Sequence, residues 1–164
     1  MKSKAIVALL AIAVFSVGCS YNKKPANNTQ TSATRPSPRV SWTDFTDSTK
    51  NGYSDRVFFA FDQYNLSPSA RETIDAWARW MKAHNGARVL IEGHCDERGT
   101  REYNLALGAR RANAIRDYMI ALGITANRIR TISYGKERPA VAGSNEAAWA
   151  KNRRGVAKPS GVGS

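Results

Sequence analysis

A chain of 164 residues with 42% hydrophobic and 23% charged content has room for one folded domain with a real core, which excludes a second. The formal charge of +12 points to a polyanionic neighbour: nucleic acid, acidic lipid head groups or an acidic wall polymer. The compartment decides among these.

Lys2 and Lys4 precede an unbroken apolar and small run over residues 5–17, the layout of an export signal. A spanning helix needs about 20 apolar residues, whereas this run gives way to the polar Ser20, Tyr21, Asn22, Lys23 and Lys24, so residues 1–18 are read as a cleaved leader. Ser16-Val17-Gly18-Cys19 resembles the lipobox at which bacterial lipoproteins are cut and acylated, which makes Cys19 the expected lipidation site and membrane anchor. Cys95 is the only other cysteine, so no intramolecular disulfide is expected. Export also argues against nucleic acid as a partner. Residues 19–40 are rich in Asn, Thr, Ser and Pro without a hydrophobic period and read as a disordered tether. Residues 41–55 form a lead-in whose Trp42 and Phe45 are candidates to pack on the domain.

The folded part is expected over residues 56–154. Residues 56–62, with Val57, Phe58, Phe59 and Phe61, read as a buried strand. Ser67 and Pro68 open a helix that runs to His84, with Ile74, Trp77, Ala78 and Met81 along one face and Asn85-Gly86 as its stop. His84 on its last turn is a favourable charge for the helix end or a surface residue. A second strand spans 88–93, and a polar loop over 94–102 leads to a helix over 103–122 with the stripe Ala112, Ile115, Tyr118, Met119 and Leu122. A turn at 125–128, a strand over 129–134 and a short helix over 145–152 follow. The alternation predicts an α/β sandwich with helices packed on a small mixed sheet. Gly155, Pro159, Gly161 and Gly163 make residues 155–164 poor strand material, so the last strand is expected to be short or missing and this stretch to be a flexible tail.

Arg111 lies four residues before Ile115 and continues the inward stripe, whereas Arg110 is turned about 100° away. A charge there needs a partner, and Asp96 at the end of the second strand is the natural one. An acid and a planar fork of donors at the rim of a core suit a zwitterionic ligand, its carboxylate on Arg111 and its ammonium on Asp96.

Residues 92–113, EGHCDERGTREYNLALGARRAN, with FAFDQYNLS at 59–67, ISYGKERP at 132–139 and AWAKNRR at 148–154, resemble the OmpA-like peptidoglycan-binding family over residues 56–154. The resemblance implies a β-α-β-α-β-(α)-β domain that is not an enzyme, uses no cofactor and binds peptidoglycan through the diaminopimelate of its stem peptide. It sets Asp96 and Arg111 at the binding positions, and Phe61, Asp62, Arg98, Asn104 and Leu107 along the same pocket. It further implies an outer-membrane lipoprotein on the periplasmic face that works with TolB and the other Tol proteins at cell division. The alternative is a wall-anchoring lipoprotein outside the Tol system.

Glu92, His94, Cys95 and Asp96 include metal-ligand and nucleophile types, yet neighbours on an extended chain point to opposite faces and His84 ends another element. Neither a metal site nor a catalytic thiol is expected. Arg128, Arg130, Lys136, Arg138, Lys151, Arg153 and Arg154 are read as a solvated basic face.

Overall fold

Each helix begins where a side chain can accept a free backbone N–H of the first turn. In the computed structural model, which describes residues 54–160, Ser67 Oγ accepts from Ala70 N at 3.2 Å and opens helix α1, Pro68–Ala83. Thr100 Oγ1 does the same for Tyr103 N at 3.2 Å and starts helix α2, Arg101–Ala121, two residues earlier than hydrophobic periodicity suggests. Asn145 Oδ1 accepts from Ala148 N at 3.0 Å to start helix α3, Glu146–Asn152. The leader, Cys19, the tether, and Trp42 and Phe45 of the lead-in lie outside the described residues, as do residues 161–164.

Four strands, β1 (Arg56–Phe58), β2 (Arg88–His94), β3 (Ile129–Gly135) and β4 (Arg154–Ser160), form one sheet in the order β1-β4-β2-β3. β2 and β3 are parallel with α2 as their crossover, and β4 runs antiparallel to β1 and β2. The core lies between the sheet and the two long helices: Val57, Val89, Ile91, Ile129 and Ala157 meet Ile74, Trp77, Met81, Ala112, Ile115 and Met119. Of the expected α2 stripe, Ala112, Ile115 and Met119 are fully buried, while Tyr118 and Leu122 pack at its margin.

The expected first strand is cut short. Pairing with β4 ends at Phe58, Phe59 N still reaches Arg153 O at 2.9 Å, and the chain then turns, with Asp62 in the left-handed region at φ 59°. The carbonyls of Ala60 and Gln63 are drawn to the Arg111 guanidinium instead of to a neighbouring strand.

The expected flexible tail is corrected over residues 155–160, which form part of a central strand. Two of the residues that argued against it, Gly155 and Pro159, are compatible with it. A Cβ on Gly155 would lie 2.3 Å from Ile115 Cδ1, so glycine allows α2 to seat on the sheet. Ala157 donates to Asp55 O at 2.9 Å, away from β2, and Pro159 two residues on has the same orientation. Its missing N–H therefore faces the side beyond the reach of β1, where no ladder bond is forfeited.

One other close approach fixes the site. A Cβ on Gly93 would stand 1.9 Å from Gly108 O, so α2 rests on β2 backbone to backbone. That contact brings Arg111, three residues after Gly108, over the end of β2.

Candidate functional site

Arg111 is fully buried at 0% exposure, facing inward as its helical phase requires, while Arg110 is exposed with its guanidinium 6.0 Å from the Tyr64 ring. Its Nε donates to Gln63 O at 2.8 Å, Nη1 to His94 O at 2.8 Å and Nη2 to Ala60 O at 3.1 Å. Burial lowers its pKa from the high arginine value, and it stays protonated. A guanidinium carries five N–H donors, and three of those on Arg111 are taken by carbonyls.

The expected ion pair between Arg111 and Asp96 is not made. Asp96, 4% exposed, pairs instead with Arg98, Nη2 to Oδ2 at 2.6 Å, and with Arg153, Nη1 to Oδ2 at 3.2 Å. Carbonyls satisfy Arg111, which frees the carboxylate for cations on the other side of the pocket. Burial pushes the Asp96 carboxyl up, but bonds from Arg98 and Arg153 outweigh it and hold the group below the ordinary carboxylate range.

Asp96 and Arg111 nevertheless line the same pocket of about 180 Å³, the size of an amino-acid end rather than a whole ligand. All the expected residues meet there. Leu107 supplies an apolar wall, and the Asn104 amide is spent on loop carbonyls, Arg98 O at 2.7 Å and Thr100 O at 3.0 Å. Phe61 is exposed at the mouth with the Arg98 guanidinium 4.0 Å from its ring centre, and Asp62 accepts the Tyr103 hydroxyl, which raises the phenol pKa. The loop after β2 is pinned from outside by Lys136, whose Nζ donates to Glu97 O at 3.1 Å and Gly99 O at 2.7 Å.

Tyr103 and Arg153 also line the pocket and were not among the expected site residues. The only sign of Arg153 in the sequence was its place in the AWAKNRR segment. The solvated reading of the basic residues holds for the exposed Arg130, Arg138 and Lys151 and fails for Lys136, pinned as above, and for three others. Arg153 is 6% exposed and Arg154 7%, the latter donating to Arg138 O at 3.1 Å, and Arg128 caps the end of α1 with bonds of 2.8 Å to Met81 O, His84 O and Ala87 O. His84 caps the same helix, its Nδ1 2.8 Å from Trp80 O and its ring stacked on Trp80 at 4.4 Å.

Among the described residues, no three His, Cys, Asp or Glu side chains are grouped to hold a metal ion. Glu92 Oε2 meets His94 Nε2 at 3.3 Å and Oε1 meets Lys158 Nζ at 3.0 Å. The Cys95 thiol donates to Asn104 O at 3.3 Å, and burial pushes its pKa up, away from the thiolate a nucleophile requires.

A four-stranded mixed sheet backed by two long helices carries this small pocket, and the sequence matches the OmpA family. The family match covers residues 58–153, and the chain belongs to that family. A peptidoglycan-associated lipoprotein of Mesorhizobium japonicum is 43% identical over 166 residues, covering 98% of this chain and 92% of that one. Another, of Rhizobium meliloti, is 50% identical over 110 residues, 67% of this chain and 62% of its own length. The crystal structure of the peptidoglycan-associated lipoprotein from Burkholderia pseudomallei matches with a TM-score of 0.64 and 39% identity, over 65% of this chain and 91% of that one.

Proposed function

We propose that this protein is an outer-membrane lipoprotein that grips peptidoglycan non-covalently through the pocket between Asp96 and Arg111, without catalysis. The observation that carries the reading is the buried Arg111, fixed by three carbonyls and lining the same small cavity as Asp62 and Asp96. A guanidinium on one side and carboxylates on the other suit the carboxylate and ammonium of a diaminopimelate side chain in the stem peptide. The names of the relatives support peptidoglycan as the polymer it meets. Acylation at Cys19 would anchor the chain on the periplasmic face, with the following residues as a leash to the wall. By the same likeness it works with TolB and the Tol proteins during envelope constriction.

The test is co-sedimentation with purified sacculi. Asp62→Asn and Asp96→Asn should each lose most of the bound fraction, Asp62→Asn while melting like the wild type and Asp96→Asn with a lowered melting temperature, since it takes a partner from the buried Arg153. Full retention in both variants would remove the pocket from the reading.

A further inference from the structure

The Asp96 carboxylate has no acceptor to spare. Oδ1 accepts from the Arg98 backbone N–H at 3.1 Å and from Arg98 Nε at 3.2 Å, and Oδ2 accepts from Arg98 Nη2 at 2.6 Å and from Arg153 Nη1 at 3.2 Å. A carboxylate offers about four lone-pair sites, so an incoming ammonium finds a place only where a partner withdraws.

The two arginines differ in their freedom to withdraw. The Arg153 side chain is 7% exposed, and its other donors hold Phe59 O at 3.1 Å and Glu146 Oε1 at 2.6 Å. Leaving Asp96 would strand a buried charge. The Arg98 side chain is 31% exposed, and its guanidinium lies between the Phe61 ring at 4.0 Å and the Trp149 ring at 4.1 Å. Glu146 Oε2 is only 4.0 Å from Arg98 Nη2. A short slide within this aromatic slot exchanges Asp96 for Glu146 and keeps the stacking.

We propose that Arg98 is a built-in surrogate for the cationic end of the ligand: it occupies the ammonium position against Asp96 and yields it on binding, while Arg153 stays and positions the carboxylate. The inference rests on the wall-binding reading above and adds a competitor inside the same site. The exchange is cation for cation, so Asp96 is never left unpaired. A neutral group cannot replace the guanidinium, and the pocket thereby selects an amino-acid end with a free amine over one that is acylated.

The test is calorimetric titration of the full-length protein with a soluble muramyl tripeptide ending in diaminopimelate, with melting curves for every variant. Arg98→Gln and Arg98→Ala should both bind about fivefold tighter than wild type, the gain expected from removing one partly exposed charge-assisted competitor. Arg153→Gln should bind about tenfold more weakly, as loss of a buried partner that orients the acid predicts. With the diaminopimelate amine acetylated, the Arg98 variants should show no gain. Unchanged or weaker binding by both Arg98 variants, or an equal gain for the acetylated tripeptide, overturns the surrogate role. A wild-type protein that binds neither tripeptide nor sacculi instead defeats the wall-binding reading, so the two failures are separable.

Discussion

Arg111 holds three carbonyls from two segments of chain, Ala60 and Gln63 on one side and His94 on the other, and so acts as a strut before it acts on any ligand. Arg111→Met should destabilise the domain by about 3 kcal/mol or more, because three buried carbonyls lose their donors at once. Arg111→Lys keeps the charge but not the planar fork, and should cost about 1–3 kcal/mol. Urea denaturation reads both, and a stability within error of wild type for Arg111→Met would contradict the strut. His94 titrates differently. Burial and the nearby Arg154 push it down to about 4, against the opposing effect of Glu92. An unfolded histidine titrates near 6.5, so between these values the unfolded chain takes the extra proton. The stabilising contribution is complete above about pH 6.5 and is lost as pH falls toward about 4, by about 3 kcal/mol at most. His94→Gln should flatten this limb relative to wild type in urea midpoints measured across the range. Parallel profiles would count against it.

At the scale of elements, the closest contacts are between backbones. Gly93→Ala would force a methyl into the Gly108 carbonyl and should cost about 3 kcal/mol while weakening sacculus binding, since α2 carries Arg111 with it. Gly155→Ala meets only the tip of the Ile115 side chain and should cost about 1–2 kcal/mol with binding retained. Denaturation midpoints paired with sedimentation would order the two, and the reverse order would be a failure. These contacts also explain what could be read from the sequence. The cap Ser67, the stripe of α1 and the inward phase of Arg111 are local or periodic properties and were legible. Strand β4 was not, because the fitness of Gly155 and Pro159 depends on a helix and on the length of a strand nearly 100 residues away. Arg153 looked like a surface cation for the same reason: its partners, Phe59 O, Asp96 and Glu146, come from three separate segments. Asp96 lines the same pocket as Arg111 but pairs with Arg98 and Arg153 instead, since sequence phase places side chains on a face but does not say which polar atoms meet there.

Over the whole molecule, the charge of +12, or +10 once Lys2 and Lys4 leave with the expected leader, attracts an acidic polymer whether or not the pocket is intact. Sacculus binding should therefore have two components. Asp96→Asn should retain a weak bound fraction at low ionic strength that disappears near 0.3 M salt, about where screening shortens to a few ångströms, while wild type stays bound. Equal salt sensitivity of the two proteins would mean that charge alone holds them. The position of β4 sets a different constraint, on the order in which the molecule can come into being. Among the described residues strand β1 pairs only with β4, and Arg153, just before β4, binds both Phe59 O and Asp96. A nascent or prematurely terminated chain that has delivered everything up to residue 152 would own every residue expected from the sequence to touch the wall, yet its first strand would have no neighbour in the sheet and its acid would lack its inner partner. On the proposed reading, competence to hold the wall would thus arrive late, with residues 153–160.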